Sequence, residues 1–177
     1  NILDLSRVEL GRLDLRVGRI EVAKLVAEVV EMLRLQAATA EVALEVDVDP
    51  ALPPIESDEQ KLRQVLLNVL SNALKFTPAG GRVTICAQPE RDGGCRIAVE
   101  DNGIGMAPET LEKLFTKFYR ADNTATRGIG GTGLGLALVK EIARAHRGDV
   151  AAASEPGTGS TFTLGLPLLD EDGGEDQ

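Results

Sequence analysis

Between residues 20 and 166 the spacing of apolar residues switches repeatedly from helical to alternating and back, and that order leaves few folds open. Residues 20–37 place Ile20, Leu25, Val29, Met32 and Leu33 at helical spacing, whereas VALEVDV (42–48) alternates as a strand and stops at Pro50, Pro53 and Pro54. Ser57 or Asp58 can cap a second helix that runs to about Phe76, with Pro78-Ala79-Gly80-Gly81 as its stop. GRVTICAQP and CRIAVED read as a hairpin closed around Arg91-Asp92-Gly93-Gly94. A short helix (108–118), a polar stretch without periodicity (119–131) and a helix (132–146) follow. Two strands, DVAAASE and STFTLGLP, joined by Pro156-Gly157-Thr158-Gly159, complete the order. The pattern α-β-α-β-β-α-α-β-β predicts an α/β two-layer sandwich, with a mixed, mostly antiparallel sheet and helices on one face.

A chain of 177 residues that is 43% hydrophobic is long enough for one domain with its own core, and with no Trp, one Tyr and four Phe that core must be aliphatic. Residues 1–13, NILDLSRVELGRL, carry apolar residues at mixed helical spacing before Gly11 and read as the end of a longer helix, so the expected divisions are 1–16, 17–168 and 169–177. The last eight residues, DEDGGEDQ, hold five acids and no base, the composition of a solvated, disordered tail. No run approaches the roughly 18–20 apolar residues of a membrane span, and the N-terminus lacks the basic and apolar regions of a signal peptide, so the chain reads as soluble and cytoplasmic. A net charge of -9 argues against a broad surface for nucleic acid. Cys86 and Cys95 fall on adjacent strands; a cross-strand disulfide is conceivable, and two reduced thiols are the expectation for a reducing compartment.

Three polar features interrupt this apolar plan. In LLNVLSNALKFT (66–77) and the turn before it, Leu62, Val65, Leu66, Val69, Leu70 and Ala73 cluster on one helical face, and Asn68, Asn72 and Lys75 form a stripe at its flank. A solvated helix edge is the plain reading of any one of them. Together they set two amide oxygens and an ammonium along a line of about 10 Å, which suits a phosphate chain carrying Mg²⁺. In VEDNGIGM (99–106), Asp101 continues the parity of Cys95, Ile97 and Val99, so its carboxylate points to the otherwise apolar side and needs a donor. Either it caps the turn beneath it, or it accepts from the exocyclic amine of a bound base, with Gly103 and Gly105 allowing close backbone approach.

The third feature is RGIGGTGLGLALVK (127–140). Residues 128–133 match G-x-G-x-x-G and Asp149 follows at about the right interval, but no strand precedes the turn and Asp149 opens a strand where a ribose-binding acid should close one. No P-loop motif occurs in the chain. A glycine-dense turn feeding a helix remains, either as a flexible loop or as a phosphate cradle of free N–H groups.

As an ordered set these motifs resemble the catalytic, ATP-binding domain of bacterial two-component sensor histidine kinases, in the GHKL superfamily shared with DNA gyrase B, Hsp90 and MutL. LLNVLSNALKFTPAGG is similar to its N box, DNGIGM to its first glycine box, LFTKFYRAD to its phenylalanine box, and GGTGLGLALVKEIARAHRGDV to its second glycine box; EPGTGSTFTLGLP resembles its final hairpin. The resemblance covers about residues 20–168 and implies the Bergerat fold, ATP and Mg²⁺. It implies that Asn72 ligates Mg²⁺, that Asn68 supports the metal or phosphates, that Lys75 reaches phosphate, and that Phe76 packs by a base read by Asp101 with Gly103 and Gly105. Lys117, Tyr119 and Arg120 would approach the nucleotide from the phenylalanine box, where Phe115 and Phe118 anchor a lid spanning about 119–131. Gly131, Thr132, Gly133, Leu134 and Gly135 would cradle phosphates.

The ATP-hydrolysing relatives carry Glu at the position of Asn68, and an amide cannot accept a proton from water. The resemblance therefore implies transfer of the γ-phosphoryl group to a histidine rather than hydrolysis, making the catalytic set Asn68, Lys75, Lys117 and Arg120. The sole histidine, His146, lies at a helix end before Arg147-Gly148 and reads as structural, so the acceptor is expected on a dimerisation domain outside this chain. A response regulator would act downstream, the fragment would be monomeric, and the parent would be a homodimer of a kind most of whose members are anchored in the cell membrane. The alternatives are a GHKL ATPase clamp, which Asn68 opposes, a serine kinase acting on an anti-sigma antagonist, which the N-terminal helix remnant opposes, and a nucleotide-binding module without catalysis of its own.

Overall fold

In the computed structural model, residues 6, 14–91, 93–116 and 135–167 are described. The elements are β1 (Val17–Ile20), α1 (Val22–Ala40), β2 (Ala43–Val48), β3 (Ile55–Asp58), α2 (Glu59–Phe76), β4 (Arg82–Pro89), β5 (Cys95–Asp101), α3 (Pro108–Lys113), α4 (Gly135–Ala145), β6 (Asp149–Glu155) and β7 (Gly159–Leu166). Five strands form one sheet in the order β2-β4-β5-β7-β6, in which β2 and β4 run parallel and every other pair is antiparallel.

Strand alternation decides which face the helices cover. Val83, Ile85, Ala87, Cys95, Ile97, Val99, Phe162, Leu164 and Leu166 are buried, while Thr84, Cys86, Arg96, Ala98, Glu100, Thr161 and Thr163 between them are not. Helices α1, α2 and α4 lie over the buried face, and α2 packs between the other two. Their stripes supply the rest of the core: Leu25, Val26, Val29 and Leu33 from α1, Leu62, Leu66, Leu70 and Leu74 from α2, Leu138, Val139 and Ile142 from α4. The core is aliphatic as composition demands; Phe162 meets the half-buried Phe115 edge to face, with ring centroids 6.3 Å apart.

Local chemistry sets the helix ends. Asp58 caps α2, its Oδ1 accepting from the Lys61 N–H at 3.1 Å. Helix α1 stops where Glu41 turns left-handed (φ 57°) and its N–H returns to the carbonyls of Ala37 and Ala38. Helix α4 closes at Arg147 (φ 58°), with the Gly148 N–H returning to Ala143 O at 2.8 Å.

Two expectations change. The Pro-rich break does not lead straight into a helix: Ile55–Asp58 is a strand, antiparallel to Val17–Ile20, in a separate two-stranded sheet. Strands of four residues are too short to show a period, and this pair is made by contacts about forty residues apart. The helix expected over 108–118 is regular only for Pro108–Lys113, and the chain turns through Leu114–Thr116. The proposed end of a longer helix falls mainly outside the described residues, as do residues 168–177.

The cysteines are free thiols, as expected. In the β4–β5 ladder Cys86 faces Ala98 on the open side and Cys95 faces Pro89 on the core side, so the sheet itself separates them. His146 is structural. It is 2% exposed, its Nε2 accepts from the Asp58 N–H at 3.2 Å, and its Nδ1 lies 2.9 Å from Ile142 O. These partners fix the neutral tautomer with hydrogen on Nδ1. Asp58 Oδ2 also accepts from the Arg16 N–H at 2.9 Å, so one residue ties together the segment entering β1, the start of α2 and the end of α4.

Candidate functional site

The asparagine stripe, the loop after Asp101 and the part of the third polar feature from Gly135 onward come together around α2, while residues 127–134 lie outside the described residues. Asn68 and Asn72 are half-buried at the edge of its apolar stripe and Lys75 is exposed. The Asn68 Nδ2 donates to Gly135 O at 3.4 Å, so the asparagine stripe abuts the first turn of α4, where the glycine-dense segment ends. A Cβ on Gly135 would lie 3.7 Å from Asn68 Cγ, an ordinary contact. At the other end of α2, Phe76 O accepts from the Ile104 N–H at 3.1 Å, so the helix ends against the loop that leaves Asp101.

Asp101 is 8% exposed at the end of β5. Its Oδ1 accepts from the Gly103 N–H at 2.9 Å, and the Ser160 N–H across the β5–β7 ladder also supports the carboxylate. Burial pushes its carboxyl above the ordinary range, the two backbone N–H groups pull it back down, and neighbouring Glu100 adds a smaller upward push. The first sequence reading of Asp101 holds, since it caps its own turn, and its carboxylate is buried at the end of β5.

The two glycines of DNGIGM admit the protein's own backbone. A Cβ on Gly103 would collide with Phe76 O, and Gly105, at φ +68°, lies against Glu155 O. The loop between them is clamped by the β6–β7 hairpin: the Gly157 N–H donates to Ile104 O at 2.7 Å, and the Met106 N–H donates to Ser154 Oγ at 2.8 Å. Ser154 and Ser160 are not legible as site residues in the sequence, because a serine among alanines in DVAAASE carries no spacing signal until the strand register is known.

Phe115 packs on the core with Lys140 Nζ 5.7 Å from its ring centroid, so the start of the phenylalanine box is held to α4. Lys117, Phe118, Tyr119, Arg120, the lid at 119–131, and Gly131, Thr132, Gly133 and Leu134 lie outside the described residues. Among the described residues no cluster of three or more His, Cys, Asp or Glu side chains converges as a metal centre. The donors available are the neutral amide oxygens of Asn68 and Asn72, which fit a hard divalent ion that draws its other ligands from substrate phosphates and water.

Residues 57–170 match the family model described as "Histidine kinase-, DNA gyrase B-, and HSP90-like ATPase". Histidine protein kinase DivJ of Caulobacter vibrioides is 39% identical over 169 residues, covering 96% of this chain and 28% of the relative. Sensor-like histidine kinase SenX3 of Mycobacterium tuberculosis (strain H37Rv) is 38% identical over 170 residues, covering 96% of this chain and 41% of the relative. The chain thus spans less than half the length of either relative. Among solved structures, Acinetobacter baumannii histidine kinase AdeS superposes with a TM-score of 0.79 at 25% identity, covering 96% of this chain and 76% of that one. Full-length ShkA in complex with AMPPNP superposes with a TM-score of 0.85 at 32% identity, covering 94% and 34%. With this fold and these similarities, the chain belongs to the histidine kinase-, DNA gyrase B- and HSP90-like ATPase family, as a catalytic domain of the sensor histidine kinase kind.

Proposed function

We propose that the domain binds Mg-ATP along α2 and donates the γ-phosphoryl group to a histidine on a dimerisation domain outside residues 17–168, as the phosphorylating step of two-component signalling. The observation that carries this reading is the buried carboxylate of Asp101, held by two backbone N–H groups where the apolar face meets α2. An acceptor with apolar surroundings suits the amine edge of adenine, and the kinship with a kinase solved with AMPPNP supports it. The base lies against Asp101 beside Phe76, with Gly103 and Gly105 shaping the loop; the phosphates run along Asn68, Asn72 and Lys75 towards Gly135. Asn72 holds Mg²⁺ and Asn68 supports the metal shell or the phosphates. When bound there, the ion would supply positive charge to the phosphates during transfer, with Asn72 and Asn68 as the residues that would hold it.

The remaining roles come from the family resemblance: Lys117 and Arg120 approach the terminal phosphates, Tyr119 and the 119–131 lid cover them, and Gly131, Thr132, Gly133 and Leu134 complete the cradle. Because Asn68 is an amide, water in the site meets no general base there, and the phosphoryl group waits for an external imidazole. By the same resemblance residues 1–16 would belong to the acceptor-bearing dimerisation domain and its linker, and residues 169–177 are acidic in composition. A homodimeric parent with a response regulator downstream completes the proposal. The domain itself works in the cytoplasm, whether or not its parent is anchored in the membrane; among the described residues no helix is long and apolar enough to cross one.

Titration with Mg-ATP and Mg-GTP tests the base site. Guanine presents a carbonyl where adenine presents an amine, so GTP should bind at least about tenfold more weakly, having an acceptor opposed to a carboxylate. Equal affinities would contradict the assignment of Asp101 to adenine.

A further inference from the structure

Asp101, Ser160 and Ser154 form one row across three strands, because Asp101 pairs with Ser160 in β5–β7 and Ser160 pairs with Ser154 in β6–β7. The row lies on the helix-covered face, where Ser160 is 9% exposed and Ser154 half-buried. Ser154 Oγ has three partners at 2.8 Å: the Met106 N–H, Gly159 O and Ser160 Oγ. A hydroxyl has a single hydrogen, and Gly159 O is a pure acceptor that takes it. Ser154 therefore has no hydrogen left for Ser160, and the Ser160 hydroxyl must be the donor between them. With its hydrogen spent inside the sheet, Ser160 offers only lone pairs to whatever lies beside Asp101.

The geometry points to Ser154 as the positioning residue of the base site: it fixes the Ser160 hydroxyl as an acceptor, and with Asp101 makes a wall of acceptors selective for a base bearing an amine. The inference deepens the adenine reading above and rests on it. Ser154 also ties down the far end of the loop that begins at Asp101 through its bond to the Met106 N–H, an effect that acts on both nucleotides alike and leaves their ratio to Ser160. Without Ser154 the Ser160 hydroxyl regains its rotation and can donate to a carbonyl, so discrimination against an oxo base should fall.

The test compares ATP with inosine triphosphate, in which a carbonyl replaces the amine and N1 carries a hydrogen, binding to wild type, Ser154→Ala, Ser154→Thr, Ser160→Ala and the double alanine variant. The expected result for Ser154→Ala is a reduction of about tenfold in the ATP-to-inosine-triphosphate affinity ratio, the effect of one or two misdirected hydrogen bonds. Ser154→Thr, which keeps the hydroxyl, should restore the ratio. The double variant should match Ser160→Ala, because Ser154 acts on the ratio through Ser160. A merely structural role would weaken both nucleotides equally and leave the ratio unchanged, which overturns the inference. Should Ser154→Ala fail to fold, Ser160→Ala decides: an unchanged ratio there overturns it equally. Absence of ATP binding to wild type would sink the adenine reading itself, an outcome distinct from an unchanged ratio among variants that bind.

Discussion

Replacing Asp101 by Asn changes the charge of the base site while preserving its shape. In the wild type the carboxylate serves the Gly103 N–H at 2.9 Å and the Ser160 N–H, and in the proposed nucleotide complex it would serve the adenine amine as well. Asn has one acceptor oxygen, so its NH2 must face either a backbone donor or the base. Losing a charge-assisted bond costs about 1.5–3 kcal/mol, which at about 1.4 kcal/mol per factor of ten lowers ATP affinity roughly 10- to 100-fold. The fold should survive, since removing a buried charge relieves the desolvation that raises the Asp101 carboxyl, offsetting the compromised backbone bond. Calorimetric titration with Mg-ATP, alongside thermal melting, measures both quantities. The sign of the pH dependence follows. With the carboxyl raised, Asp101 protonates at a higher pH than an ordinary Asp, so wild-type affinity should weaken as pH falls towards that raised value, whereas Asp101→Asn should not share this loss. An Asn variant that melts normally and binds ATP within twofold of wild type would refute the reasoning.

Three other perturbations probe the scaffold. His146→Ala removes a 2% exposed side chain with two buried partners and should cost about 2–4 kcal/mol in urea unfolding; a loss under about 0.5 kcal/mol would mean its link to Asp58 contributes little. Gly105→Ala combines a left-handed φ of +68° with collision against Glu155 O and should destabilise by at least about 2 kcal/mol, where an unchanged midpoint would contradict the clamp on the loop. Cys86 should alkylate well before Cys95, which is fully buried with its thiol pushed up to about 11 by burial and, secondarily, by Glu90; mass spectrometry showing the reverse order would contradict the sheet register.

The residues best read from sequence were those whose position follows from a local period. Alternation in β5 put Asp101 on the buried side, and the 3.6-residue period of α2 put Asn68 and Asn72 at the margin of its apolar stripe, where the structure has them. What sequence left dark is long-range register. Nothing in IESD or VGRI announces that they pair, and nothing near His146 names Asp58, 88 residues away, as its partner. Ser154 is the sharpest case, because its meaning depends on lying two strands from Asp101 in one row. Gly103 and Gly105 were legible as close approaches, but sequence could not say that Phe76 and Glu155 carbonyls are what approach.

The most direct measurement follows γ-labelled phosphate after incubating the domain with Mg-ATP, alone and with the parent kinase's separately prepared dimerisation domain. Acid-labile, base-stable label on the added domain, with negligible free phosphate from the catalytic domain alone, is the expected result for a phosphoryl donor to histidine with an amide at Asn68. Steady phosphate release by the catalytic domain alone, without label transfer, would contradict it and make the protein a hydrolase.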